Sequence, residues 1–322
     1  MKNLRVAVLR GGPSSEYEVS LRTGQEVISS LQRSGVPVRD IIITRQGEWI
    51  VDGYTKEPRE ALMAVDVAFI ALHGVYGEDG TIQRLLEHLG IRYTGSGPYS
   101  SAVAMNKILT KEMLQDAGVK MPAHLRVSKE SSDVRRVAST IESLFGPDYI
   151  VKPVYGGSSI GVRRAKGAME LTSALTAAME EGTEVMVEEY MSGREATVGI
   201  VDGLRGVARY RLPVVEIVPP DTHDFFSYDV KYDGSTDEIC PGRFSREEKE
   251  QLEEAAEKVH ARLGLKHYSR SDFIVTNKGV YFLEVNTLPG LTNQSLLPKA
   301  LNAVGHPYDD FILHLVQSAH KS

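Results

Sequence analysis

Four polar side chains in the stretch 268–296, YSRSDFIVTNKGVYFLEVNTLPGLTNQSL, are spaced for chemistry: Arg270, Asp272, Glu284 and Asn286. Two β-prone runs flank Asn277-Lys278-Gly279, a short glycine-containing loop of the kind that closes a hairpin. Pairing Thr276 with Val280 places Asp272 opposite Glu284 and Arg270 opposite Asn286. The two-residue alternation of a strand then puts all four on one face. The other face carries Phe273, Val275, Leu283 and Val285 and reads as core. Two carboxylates facing one another across a ladder repel unless a positive charge lies between them. Asp272, Glu284 and Asn286 form an all-oxygen set suited to a hard cation such as Mg²⁺, which keeps its other positions for water and phosphate oxygens.

A second group of residues suits phosphate itself. In YIVKPVYGGSSIGVRRA, Lys152 ends a strand and precedes a loop containing Gly156, Gly157, Ser158, Ser159 and Gly161. Flexible glycines with free N–H groups and two hydroxyls suit a lid over a polyphosphate, the bland alternative being an ordinary hairpin tip. No G-x-x-x-x-G-K-[ST] occurs, so a P-loop NTPase is excluded. Glu188 and Glu189, in TEVMVEEYM, and Glu195 just beyond Ser192-Gly193 lie on strands among apolar neighbours. Acids in such places need an amine or a hydroxyl for a partner, unless they stand on an exposed edge.

Several elements must position these groups. Leu4 to Leu9 is a short apolar strand closed by Gly11-Gly12. A helix follows through Val19, Val27, Ile28 and Leu31, with Glu18 in its first turn, and stops at Gly35. This strand, glycine turn and helix could cradle an anion at the helix N-terminus, but the full G-x-G-x-x-G is missing, so the signal for a dinucleotide site is weak. Asp66 to Leu72 is continuously apolar, as in a strand covered on both faces, and ends in His73-Gly74, where open α/β sheets carry ligands. A helix over 100–118 carries Lys107, and others are expected at 134–144 and 168–181. The aromatic-rich segment DTHDFFSYDVKYDGST, with Lys231-Tyr232, has the length of a functional lid. Ser245 to Gly264 opens with a capping-box sequence, SREE, and a last helix runs from Ser295 past HPYDDFILHLVQSA.

Bulk properties bound the rest. A chain of 322 residues exceeds one ordinary core, so two or three domains are expected. The formal charge of −6 gives no footprint for nucleic acid or an anionic membrane. A single cysteine, Cys240, excludes internal disulfides and fits a cytoplasmic protein. The first residues hold no apolar run long enough for a signal peptide, and no stretch approaches a membrane span.

The runs GGPSSEYEVS, ALHGVYGEDGTIQ, YTGSG, VKPVYGGSSIG, VKY, RSDF and LEVNTLPGLTNQS stand in one order over essentially the whole chain. In this the chain resembles the D-alanine–D-alanine ligases of the ATP-grasp superfamily. The resemblance implies an α/β (in part α+β) architecture of three domains: a Rossmann-like first domain over 1–95, a central ATP-grasp subdomain over 96–188 and a C-terminal one over 189–322. It implies ATP as a substrate held by Lys107, Lys152, Gly157, Ser159, Glu188, Glu189, Met191, Glu195 and Lys231. Asp272, Glu284 and Asn286 would hold two Mg²⁺ ions, or Mn²⁺ in their place. Glu18 would take the ammonium of the first D-alanine and join Ser158 and Tyr232 in a hydrogen-bonded triad. His73 would lie beside that substrate, and Ser295 and Leu296 would receive the carboxylate of the second. Arg270 and the backbone N–H of Gly290 would stabilise an oxyanion, and a homodimer is implied. Gly156 and Phe226 depart from the family pattern, which bears on loop closure. A D-alanine–D-lactate ligase is the nearest rival, against which Tyr232 speaks. Another ATP-grasp carboxylate–amine ligase fits GEDGT and NTLPGLT poorly, and a degenerate binding domain would lack the metal ligands or lysines.

Overall fold

The computed structural model describes residues 4–128, 133–157, 161–181, 184–220 and 236–322. Ser158, Ser159, Phe226, Lys231 and Tyr232 therefore lie outside the described residues.

The chain is mixed α/β and builds three sheets. The first has the strands β1 (Val6–Gly11), β2 (Val38–Ile43), β3 (Trp49–Val51), β4 (Tyr54–Lys56), β5 (Val67–Ile70) and β6 (Arg92–Tyr93), in the order β4-β3-β2-β1-β5-β6. Strand β1 pairs in parallel with β2 on one side and β5 on the other. The order reverses at β1, which opens a crevice beyond the carboxyl ends of β1 and β5. The apolar run predicted for 66–72 is buried throughout β5, as a strand covered on both faces must be.

The second sheet is antiparallel, with β7 (His124–Ser128), β8 (Asp148–Pro153), β9 (Arg163–Lys166) and β10 (Glu184–Glu189) in the order β7-β10-β8-β9. Helices Val134–Phe145 and Gly167–Glu181 cover one face through Ala138, Ile141, Leu171 and Leu175, packed on Tyr149, Val151, Val185 and Val187. The opposite face carries the alternate residues, Lys152 and Glu188 among them.

The third sheet contains β11 (Arg194–Asp202), β12 (Arg209–Arg211), β13 (Val215–Val218), β14 (Asp237–Ile239), β15 (Tyr268–Thr276) and β16 (Gly279–Asn286), all antiparallel. Helix Arg246–Arg262 begins with the expected capping box: Glu248 N–H donates to Ser245 Oγ at 3.1 Å, and Ser245 N–H donates to Glu248 Oε2 at 2.7 Å. The helix lays Leu252, Ala256 and Val259 against Phe273, Phe282 and Val285, and Val103 and Leu114 join the same core.

Three local expectations are corrected. The β15–β16 turn pairs Thr276 with Gly279 rather than Val280, and a bulge between Asp272 and Phe273 takes up the one-residue difference. Asp272 still faces Glu284 and Arg270 still faces Asn286. The extra residue, Leu283, leaves the core for the cleft, and Phe282 replaces it as a fully buried side chain. The helix expected over 100–118 is two helices, Pro98–Met105 and Lys107–Leu114, because Asn106 leaves helical geometry and its Oδ1 caps Leu109 N–H at 3.0 Å. The last helix also divides, into Leu296–Ala303 and Tyr308–Lys321, at Gly305 and Pro307. The second piece packs Phe311, Ile312, Leu315 and Val316 into the core of the first sheet, and Arg33 pairs with Asp309 at its start.

Candidate active site

One cleft of about 450 Å³ lies between the second and third sheets. Its apolar walls include Ile150, Val162, Ile217, Phe273 and Leu283, a lining suited to a flat ring. Its polar side chains include Lys107, Lys152, Glu188, Glu189, Glu195, Arg270, Asp272 and Glu284, and Gly157, Met191 and Leu296 also line it. A smaller pocket shares Lys107, Gly156, Gly157 and Glu284 with it and adds Glu16, Gly74, Glu78 and Asn286.

The lysines come from two elements tied together. Asn106 Nδ2 donates to Tyr155 Oη at 2.9 Å, and Lys107 N–H donates to Val154 O at 3.1 Å. These contacts set the amino end of helix Lys107–Leu114 against the chain leaving β8. Lys107 Nζ donates to Gly156 O at 2.5 Å and stands 3.9 Å from Glu284 Oε2. On the second sheet, Lys152 pairs with Met186 and Ile150 with Glu188, so Lys152 and Glu188 are diagonal neighbours on one face. Lys152 Nζ stands 2.5 Å from Glu188 Oε2, and Lys111 Nζ stands 2.7 Å from Glu188 Oε1. Burial alone would push the Glu188 carboxyl up, but the two ammonium charges outweigh it and bring it down to about 2.

The hairpin face is polar as expected. Arg270 holds Asp272 with two bonds, Nε to Oδ1 at 3.0 Å and Nη2 to Oδ2 at 2.9 Å. Thr197 Oγ1 donates to Asp272 Oδ1 at 2.6 Å, and Asn286 Nδ2 donates to Oδ2 at 3.2 Å. Burial works against the Arg270 charge, but the Asp272 carboxylate raises its pKa beyond the usual guanidinium range. Among the described residues no three His, Cys, Asp or Glu side chains gather in a metal-binding group. Asp272, Glu284 and Asn286 suit a cation that completes its shell with water and phosphate oxygens, as Mg²⁺ does. The donor set thus fits magnesium in the presence of a polyphosphate.

The crevice of the first sheet closes the small pocket from the other side. His73 is buried and held at both ring nitrogens: Nε2 lies 2.8 Å from Thr23 Oγ1, and Nδ1 lies 2.9 Å from Leu288 O. Glu78 accepts Gly74 N–H at Oε1 (3.0 Å) and, at Oε2, Thr287 N–H (3.1 Å), Thr287 Oγ1 (3.2 Å) and Leu288 N–H (3.0 Å). These bonds join the first sheet to the chain leaving the hairpin. Burial, and next the negative charge of Glu16, raise the Glu78 pKa. Gly74 is required here: its φ is +69°, and a Cβ would stand 2.5 Å from Glu16 Oε2.

Glu18 is the sequence-predicted residue that the structure places elsewhere. Its side chain is 67% exposed and pairs with Arg45 on the outer surface. Glu16 is the acid in the pocket. Residues two apart on a helix point roughly 200° apart, so only one of them can face the crevice. A signal existed, since Glu16 stands at helical spacing with Ser20, Thr23 and Val27, the buried stripe of helix Tyr17–Arg33. Lys111 was also missed, although it lies four residues after Lys107 and therefore on the same helix face, as was Glu78 within GEDGT. Gly290 sits where a Cβ would meet Ser295 Oγ at 2.9 Å, in keeping with close backbone approach. Ser295 precedes helix Leu296–Ala303, and its Oγ accepts Thr292 N–H at 3.1 Å.

The comparisons with known proteins agree with this arrangement. The family model described as D-ala D-ala ligase C-terminus matches residues 113–317, and its N-terminal counterpart matches 5–61 and 51–96. The chain is 41% identical over 328 residues to the D-alanine–D-alanine ligase of Geobacter sulfurreducens, covering 99% of this chain and 95% of the relative. Among solved structures, a D-alanyl-alanine synthetase A from Vibrio cholerae superposes with a TM-score of 0.87 at 26% identity, over 100% of both chains. A D-alanine–D-alanine ligase from Bacillus anthracis complexed with ATP gives 0.81 at 32% identity, over 99% of this chain and 98% of that one. A D-Ala:D-Ser ligase from Enterococcus faecalis gives 0.85 at 30% identity, over 98% and 99%. Family models spanning most of the chain, full-length relatives and the converging cleft all lead to one assignment: the chain belongs to the D-alanine–D-alanine ligase family.

Proposed function

We propose that the cleft between the second and third sheets binds ATP, that the adjoining pocket binds the first D-alanine, and that the second D-alanine enters toward Ser295 and Leu296. The observation that carries this reading is the convergence of Lys107, Lys152, Arg270, Asp272 and Glu284 on one cleft, with Glu16 and Asn286 in the pocket beside it. Lys107 and Lys152 hold the phosphates of ATP, and Glu188, Glu189, Met191 and Glu195 hold its nucleoside. Asp272, Glu284 and Asn286 are the residues that would hold two Mg²⁺ ions, whose charge would neutralise the phosphates. Glu16, in place of Glu18, takes the ammonium of the first D-alanine. Ser158, Ser159, Lys231 and Tyr232 keep the roles that the family resemblance gives them.

The reaction then has two steps. The carboxylate of the first D-alanine attacks the γ-phosphoryl group, forming an acyl phosphate and releasing ADP. The amine of the second attacks the acyl carbon, and phosphate leaves from the tetrahedral intermediate. Phosphoryl transfer asks of a protein mostly positioning and charge neutralisation, which the lysines and the hairpin face supply. Arg270, oriented by Asp272, is placed to meet negative charge developing on the acyl oxygen together with the N–H of Gly290.

The test is phosphate release from ATP with D-alanine, L-alanine, D-serine or D-lactate supplied singly and in pairs. Release with D-alanine, yielding D-alanyl-D-alanine, is expected; no D-alanine-dependent release would refute the reading. No described helix is long and apolar enough to cross a membrane. A cytoplasmic homodimer is proposed, and sedimentation of the purified protein checks the dimer.

A further inference from the structure

Lys111 is fully buried, sits at the back of the nucleotide cleft without lining it, and shares Glu188 with Lys152. Lys152 lines the cleft itself. We propose that Lys111 is a positioning residue that permits a charge handover: Lys152 leaves Glu188 for the phosphates of an entering nucleotide, while Lys111 stays behind as the counterion of the buried carboxylate.

The geometry supplies the argument. Glu188 is 2% exposed, and a carboxylate that dry cannot lose its only cation without a large penalty. With two ammonium groups, one on each carboxylate oxygen, it can release one and remain compensated. The two are not equivalent in reach. Lys152 is the last residue but one of β8, four residues before Gly156, and lines the cleft. Lys111 stands on helix Lys107–Leu114, one turn beyond Lys107, with its side chain 1% exposed. Burial lowers the Lys111 pKa, and the Glu188 carboxylate opposes that effect. Glu284 also acts on Lys111, and His124, on β7, feels both Lys111 and Glu188 and has its own pKa lowered by burial. Two like charges four residues apart on a helix cost stability, and here each has its own acid: Glu284 for Lys107 and Glu188 for Lys111.

Without Lys111, Lys152 would be the sole partner of Glu188 and would be retained there, at the expense of phosphate binding. This inference rests on the ATP reading above, and two ligands separate them. The affinities of the full-length protein for ADP and for adenosine are measured by competition, for the unaltered chain, Lys111→Met and Lys111→Met/Glu188→Gln. Failure of the unaltered protein to bind ADP would defeat the ATP reading itself. The handover predicts that Lys111→Met lowers the ratio of ADP to adenosine affinity about tenfold or more, as for other close charge pairs. It predicts that the double variant, with no carboxylate to hold Lys152, recovers the ratio to within about threefold of the unaltered protein. A purely structural role for Lys111 would lower both affinities together and leave the double variant no better than the single. An unchanged ratio in Lys111→Met, or an unrecovered one in the double variant, overturns the proposal. If Lys111→Met does not fold, Lys111→Gln, which keeps a neutral donor toward Glu188, takes its place with the same expected fall in the ratio and the same recovery when Glu188→Gln is added.

Discussion

Glu188, buried, and Glu78, half-buried, are carboxylates beside one reaction space, and the protein compensates them in opposite ways. Glu188, on the second sheet, is held between two ammonium groups, and its pKa falls to about 2. Glu78, in the loop after β5, has backbone N–H groups and a hydroxyl as its hydrogen-bond partners, and burial and next the negative charge of Glu16 raise its pKa in spite of them. Full charges compensate a dry carboxylate more strongly than neutral donors do. The nucleotide side is consequently rich in paired cations and suits an anion. The first-sheet side sets one acid held by neutral donors beside a second, and suits an ammonium group.

The contrast breaks most visibly at Glu188. Glu188→Ala leaves two buried ammonium groups unpaired and should cost about 3–5 kcal/mol of stability in urea unfolding. Activity breaks next. Glu284→Gln removes one carboxylate from the cation site and should lower kcat by about 10²–10³, with little change in the urea midpoint. On the acidic side, Glu16→Gln should raise the KM for the first D-alanine by about 10- to 100-fold, the worth of one charged hydrogen bond. Glu18→Gln should stay within about twofold, since its bond to Arg45 is on the surface. Equal effects of the two substitutions would remove Glu16 from the proposed role.

The finest test is the sign of two pH slopes. Glu188 has a folded pKa below its ordinary value of 4.5, so its contribution is complete above pH 4.5 and is lost as pH falls toward about 2. Glu78 has a folded pKa above 4.5, so its contribution is complete below pH 4.5 and is lost as pH rises through its folded pKa. Relative to the unaltered protein, Glu188→Gln should therefore become less costly as pH falls, and Glu78→Gln less costly as pH rises. Urea midpoints measured across pH 3–8 decide this, and parallel slopes would contradict the contrast.

Much of the fold and of the site is legible in the amino-acid sequence, and legibility tracks the range of the interactions. The β15–β16 hairpin, its acid pair Asp272 and Glu284, the Lys152 strand and the capping box at Ser245 all follow from residues close in sequence. Alternation, turn chemistry and capping are local, so the chain states them directly. The break at Asn106 is equally local and readable as a cap, but it is masked by apolar spacing that continues through it.

What required the tertiary structure were choices between near-equivalent local options. The bulge at Leu283 could not be read, because a two-residue loop plus a bulge and a three-residue loop without one give the same pairing of Asp272 with Glu284. Glu16 and Glu18 differ in role because helix Tyr17–Arg33 is rotated by the packing of Ser20, Thr23 and Val27, which decides which acid faces the crevice. The partners of Glu188 come from a helix and a strand 77 and 36 residues away in the chain, and only burial makes both of them obligatory. The sequence determined which charged groups exist and on which local faces they lie. The fold decided which of them lost their water, and so which had to be paired.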